Sequence, residues 1–109
     1  MVVQHHNQNI ELEDGIADVV LYLWDNNVTT TMSCEGHLDW GLPYPWVMIE
    51  NKKSIAIVHN LIKNNYELEL QNIDGTPYID GYHYYIARLK TVGEVSLEEA
   101  RICMKSIKE

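Results

Sequence analysis

Leu12, Ile16, Val19, Val20 and Leu23 recur at steps of three and four, the spacing that lays one apolar stripe along a helix. This predicts a helix over residues 10–25. Acids crowd its first turns, where the positive end of the helix dipole favours them. Asn26-Asn27 supplies a stop, since Asn tolerates left-handed backbone. Ile55, Val58, Leu61 and Ile62 trace a second stripe over 52–64, which also ends in a double Asn, Asn64-Asn65. Leu97, Ala100, Cys103, Met104 and Ile107 trace a third, opened by the capping box Ser96-Leu97-Glu98-Glu99. One-sided helices need an apolar surface to lie against.

Four segments read as strands that can supply it. Val28 to Ser33 is rich in β-branched residues, and Trp46 to Glu50 is a short aromatic and aliphatic run. Tyr66 to Gln71 alternates apolar and polar, as a half-buried strand does. Tyr82 to Lys90 is the fourth, set off by the turn pairs Asp74-Gly75 and Asp80-Gly81. Between the first two lies a loop broken by Gly36, Gly41, Pro43 and Pro45. The two double-Asn stops are offset by 64 − 26 = 38 residues, and at that offset Trp46-Val47-Met48-Ile49 falls on Tyr84-Tyr85-Ile86-Ala87. The expected fold class is therefore α+β. Two helix-strand-strand units, residues 10–50 and 51–90, precede a C-terminal helix and form a four-stranded, mostly antiparallel sheet with helices on one face. Residues 1–9 are expected as a flexible tail ahead of a single domain spanning 10–109.

Charge is divided unevenly. Residues 1–51 hold Glu11, Glu13, Asp14, Asp18, Asp25, Glu35, Asp39 and Glu50, with no Lys or Arg, so the whole net charge of −8 lies there. An acidic surface repels nucleic-acid phosphates and argues against duplex binding. It suits a partner with a basic surface, with Glu11, Asp14, Asp18 and Asp25 as the contacting acids, and it also simply keeps a domain soluble. No apolar run approaches the roughly 20 residues that cross a bilayer, and the first residues lack a secretory pattern. A cytoplasmic domain with no membrane contact is expected, its two cysteines, Cys34 and Cys103, as free thiols.

Chemistry concentrates in Thr31-Met32-Ser33-Cys34-Glu35-Gly36-His37. On a regular strand Thr29, Thr31 and Ser33 share one face, leading into a thiol, a carboxylate and an imidazole. With Trp40 and Tyr44 further along the loop, the residues Thr31, Ser33, Cys34, Glu35 and His37 could line a site for a small polar or nucleotide-like ligand. Cys34 and His37 also have C-x-x-H spacing, to which Glu35 or Asp39 would add an oxygen, but a structural zinc site wants four ligands. Thiol catalysis needs a base beside Cys34; His37 is near, while Glu35 opposes thiolate formation. The plainest reading makes Cys34 a small buried residue and the rings a lid on the core. No cofactor or catalytic residue is assigned on these grounds. Tyr and Trp residues at a sheet edge are also material for a homodimer.

The run Asn26 to His37, followed by Pro45-Trp46-Val47-Met48-Ile49, resembles small uncharacterised proteins of bacteria, phages and mobile elements that carry Ser-Cys-(Glu or Ser)-Gly-His after a Thr-rich strand. More remotely it is similar to the wybutosine-synthesising tRNA methyltransferase family, whose signature is Ser-Ser-Cys-Ser-Gly-Arg. Met32, Glu35 and His37 stand here in place of Ser, Ser and Arg, and losing the Arg removes a cation suited to RNA phosphate. The first resemblance brings no established activity. With the acidic first half it implies, by analogy of class, a non-enzymatic inhibitor of host defence that binds a basic nucleic-acid-handling protein such as a CRISPR effector, or sequesters a nucleotide signal. The alternative is a small enzyme or metal- or ligand-binding domain built on Ser33 to His37.

Overall fold

A computed structural model describes residues 1–39, 44–65, 68–72, 84–89 and 96–108. It is an α+β fold with antiparallel sheets. The chain opens with a hairpin of β1 (Val2–His5) and β2 (Gln8–Glu11). His6 and Asn7 make its turn, both at positive φ. This departs from the expected tail over 1–9 and from a helix beginning at residue 10. Val3 lies opposite Ile10 in the hairpin register, and both pack against the core. That apolar contact offsets the weak strand propensity of the surrounding His, Asn and Gln.

The first helix, α1 (Asp14–Asp25), buries Ile16, Ala17, Val19, Val20 and Leu23. Asn26 caps it and Asn27 follows at φ 64°, the left-handed step that a double Asn permits. β3 (Thr30–Cys34) and β4 (Trp46–Glu50) come next, then α2 (Lys52–Ile62). Asn51 starts α2 by accepting the Ser54 N–H at 2.8 Å. The Ser54 hydroxyl in turn accepts the Thr29 N–H at 2.7 Å, so this buried hydroxyl ties the helix to the approach of β3. β5 (Leu68–Asn72) and β6 (Tyr84–Leu89) follow. α3 (Leu97–Met104) has Ser96 as its cap, accepting the Glu99 N–H, and runs into a 3-10 turn over Lys105–Lys108.

The strand pairings among the described residues are antiparallel. β3 pairs with β4, β4 with β6 and β6 with β5, in the order β3-β4-β6-β5. Val47, Ile49, Leu68 and Leu70 join the stripes of α1 and α2 and the residues Ala100, Met104 and Ile107 in one core. Gln71 is also buried, so β5 does not alternate as cleanly as its sequence suggests. β3 is irregular as well. Thr30 lies opposite Ile49 but Met32 lies opposite Met48, so Thr31 is an extra residue in the ladder. This bulge breaks the alternation that would align Thr29, Thr31 and Ser33 on one face. Thr31 and Met32 are both exposed, Met32 at 58%. The predicted turn pairs at 74–75 and 80–81 lie outside the described residues. No helix among the described residues is long and apolar enough to cross a membrane.

Candidate metal centre

β3 ends at Cys34, and the chain turns through Glu35-Gly36-His37 against the N-terminus of α1. Gly36 makes that turn at φ +86°. A Cβ there would lie 2.7 Å from both the Leu97 Cδ1 and the Tyr44 carbonyl carbon, so the close approach and the backbone angle both require glycine. Arg101 on α3 grips the outside of the turn. Its Nε donates to the Glu35 carbonyl at 2.9 Å and its Nη2 to the Gly36 carbonyl at 2.8 Å.

Two carboxylates cross between this turn and α1. Glu13 occupies the N-cap position but does not cap its own helix. Its Oε1 accepts the Glu35 N–H at 3.0 Å and its Oε2 lies 2.6 Å from the His37 Nε2. Glu35 reaches the other way, accepting the Gly15 N–H at 3.1 Å, with Arg101 Nη2 at 3.6 Å. The carboxylate that caps α1 thus comes from the following strand-loop segment. Gly15 makes room for it: a Cβ there would sit 2.9 Å from the Glu35 Cβ.

The crossing gathers Glu13, Cys34 and His37, whose carboxylate oxygen, sulfur and ring nitrogen all lie within 4.8 Å of one another. Cys34 is buried, while the side chains of His37 and Glu13 keep 17% and 32% exposure. Burial pushes the Cys34 thiol up; Glu13 and Glu35 push it further, against the Gly36 N–H that points at the sulfur from 3.4 Å. Burial also works to raise Glu13, but the Glu35 N–H, the Cys34 thiol and His37 together outweigh it and hold its carboxyl below the usual range. At neutral pH the metal-free site therefore pairs a protonated thiol with an ionised carboxylate, which makes Cys34 a poor nucleophile by itself.

Thiolate, imidazole and carboxylate together form a donor set for zinc and its neighbours in the transition series. Tetrahedral zinc holds such donors about 3.3–3.8 Å apart, given metal–ligand bonds near 2.0–2.3 Å. To hold an ion, Glu13 Oε2 and His37 Nε2, 2.6 Å apart, would have to separate slightly and give up the proton they share, while donors further apart within the 4.8 Å cluster would close in.

The residues singled out by sequence divide. Cys34 and His37 come together, whereas Glu35 stands beside them with its carboxylate committed to α1 and Arg101. Glu13, which sequence reasoning placed only among the acids of a helix start, supplies the oxygen in place of Glu35 or Asp39. Its one local signal is the following Gly15, which leaves the helix start open to another segment. Thr31 and Ser33 line a separate shallow pocket of about 230 Å³ between β2, Trp24 and β3. Tyr44 is buried, its backbone against Gly36. Trp40 lies outside the described residues. Cys103 is half-buried, and both cysteines are free. Asp14, Asp18 and Asp25 are exposed on α1, but Glu11 belongs to β2, because the hairpin takes the residues expected to start the helix. The Met1 amino group lies 3.0 Å from Glu11 and 3.5 Å from Asp14, and Lys105 lies 3.8 Å from Asp18, so much of this acidic surface already faces cations.

Fold and site define a small α+β domain with a mixed oxygen, nitrogen and sulfur donor cluster at a helix N-terminus. No protein-family model, curated protein or solved structure matches the chain.

Proposed function

We propose that this protein is a metal-binding domain that holds a divalent transition metal of the zinc type through Glu13, Cys34 and His37. The observation that carries this reading is the convergence of three different donor atoms within 4.8 Å, on residues drawn from a helix start, a strand end and a loop. A bound ion neutralises the two anionic ligands and lets the buried sulfur ionise, since a coordinating thiol is deprotonated outright. It also ties the loop to α1, so metal affinity adds to folding stability.

The test is metal analysis of the purified chain with zinc, and optical titration with cobalt(II). A single ion per chain and a thiolate-to-cobalt charge-transfer band are expected. Cys34→Ser should abolish the band, and Glu13→Gln and His37→Ala should each weaken binding at least tenfold, with circular dichroism confirming that the variants fold. No bound ion, or equal binding in all three folded variants, overturns the reading.

The helix-strand-strand duplication is part of the same proposal for the chain as a whole. Its support is the strand order β3-β4-β6-β5, which reads the same when the pair β3, β4 is exchanged for the pair β5, β6. Only the first unit carries the Cys and His of the site.

A further inference from the structure

Among the described residues β2 pairs with β1 alone and β3 with β4 alone, so each keeps one edge without a strand beside it. The cleft of about 230 Å³ between them has residues 10–12 on one wall and residues 30–33 on the other. Neighbouring side chains on a strand point to opposite faces. A cleft lined by an unbroken run of them therefore lies against the strand's edge, where the main chain is presented. The hydrogen bonds of the hairpin agree. Met1 and Leu12 exchange both of their N–H···O bonds, at 2.9 and 2.7 Å. The next pair, Val2 and Glu11, is then a pair without mutual bonds, so the N–H and C=O of Glu11 point away from β1 and toward the cleft. On the far wall Thr31, the extra residue of the bulge, has no partner opposite it in β4.

Trp24 forms the floor. Its indole N–H is already donated to the Thr30 Oγ1 at 3.0 Å, and His5 stacks on its ring at 3.9 Å, so it offers a fixed flat surface and no free donor. Residues 30–33 run for about 10 Å, the length of three or four residues of extended chain. Unpaired main-chain groups on both walls recognise another main chain, and a strand laid between them bonds on both of its edges. A second copy of this domain does not fit, because each of its outer strands has only one edge free. Charge selects the side chains. Glu11 is the charged residue of the lining, 70% exposed beside the Met1 amino group, and the first 51 residues contain no Lys or Arg. A Lys or Arg on the incoming strand is attracted there and an acid is repelled.

We infer that the cleft between β2 and β3 is a receptor for an extended basic peptide segment, which enters as an added strand and joins the hairpin to the larger sheet. The cleft is separate from the metal centre, so either can fail without the other.

The isotope-labelled protein titrated with the synthetic peptide acetyl-Thr-Val-Lys-Val-Lys-Val-Thr-amide, followed by amide NMR, tests this. Saturable shifts should concentrate at residues 10–12 and 30–33, and the Glu11 amide should exchange more slowly with solvent. Alternate N–H groups of a strand face opposite edges. Methylating either alternate set of peptide nitrogens should therefore weaken binding at least about tenfold. Replacing both peptide lysines by glutamate should weaken it about fivefold, and Glu11→Gln in the protein should narrow that gap. No saturable shift at millimolar peptide, shifts confined to other residues, or full affinity in one of the two methylated peptides overturns the inference, the last because it shows pairing with a single edge.

Discussion

Glu13 and Glu35 serve each other's segments: the Glu13 carboxylate accepts the Glu35 N–H at 3.0 Å, and the Glu35 carboxylate accepts the N–H of Gly15 at the start of α1 at 3.1 Å. A helix cap and a turn anchor have been exchanged between two stretches 22 residues apart. The donor cluster exists because of that exchange.

Replacing Glu35 removes a helix cap supplied at a distance, as well as the carboxylate beside Arg101. Loss of a cap costs about 1 kcal/mol, ranging to 2. Glu35→Ala should destabilise the domain by about that amount in urea unfolding. Glu35→Gln, which keeps an acceptor oxygen, should lose less. Equal stability of Glu35→Ala and the parent protein would refute the capping role.

Gly15 offers a prediction against propensity. In a free helix Gly→Ala is stabilising by about 1 kcal/mol. Here the new methyl would meet the Glu35 Cβ at 2.9 Å and the Arg101 Cδ at 3.1 Å. Gly15→Ala should therefore destabilise, and combining it with Glu35→Gly should be less harmful than the sum of the two changes. A thermal melt of the four proteins in the cycle decides it.

Gly36→Ala should be worse. It forces a side chain into φ +86° and against the Tyr44 backbone, and strain of this sort costs about 1–3 kcal/mol before the steric clash is added. Soluble expression with an unchanged unfolding midpoint would contradict the packing of the turn.

Acid should loosen the latch. The Glu13 carboxyl is held below its ordinary 4.5 in the folded chain. Its contribution to stability is fully present above that unfolded value and is lost as pH falls through the lower folded one. Urea unfolding at a series of pH values should show a loss below about pH 4.5 that Glu13→Gln largely removes. An acid limb of the same size in the variant would assign the effect to other groups.

Arg101→Lys keeps the charge but cannot reproduce a fork that reaches two carbonyls at once. It should destabilise the domain by about 1 kcal/mol. It should also weaken cobalt binding several-fold through the turn it holds, although Arg101 is not a ligand. Unaltered cobalt affinity would separate the turn from the metal centre.

The helices were legible in the chain because their cause is local. A stripe at steps of three and four announces its own buried face, and Ile16, Val19, Val20 and Leu23, like Ile55, Val58 and Ile62, are buried as the stripe requires. The Ser96 cap was equally plain, because its partner lies three residues away. The N-terminal hairpin was not, since Val2, Val3 and Ile10 among polar residues make no strand signal until Val3 and Ile10 meet the core. The bulge at Thr31 was hidden for the related reason that register belongs to a pair of strands and not to one.

Of the candidate site, the sequence by itself singled out Cys34 and His37, whose side chains are chemically conspicuous and three positions apart. Only the tertiary structure chose Glu13 as their companion and turned Glu35 away to cap a helix. Glu11, Glu13, Asp14 and Asp18 are alike in sequence, and Glu13 is singled out only when folding brings the Glu35 N–H and the His37 ring within hydrogen-bond reach of it. Contacts across 20 and more residues are set by how the elements pack, which no local pattern encodes.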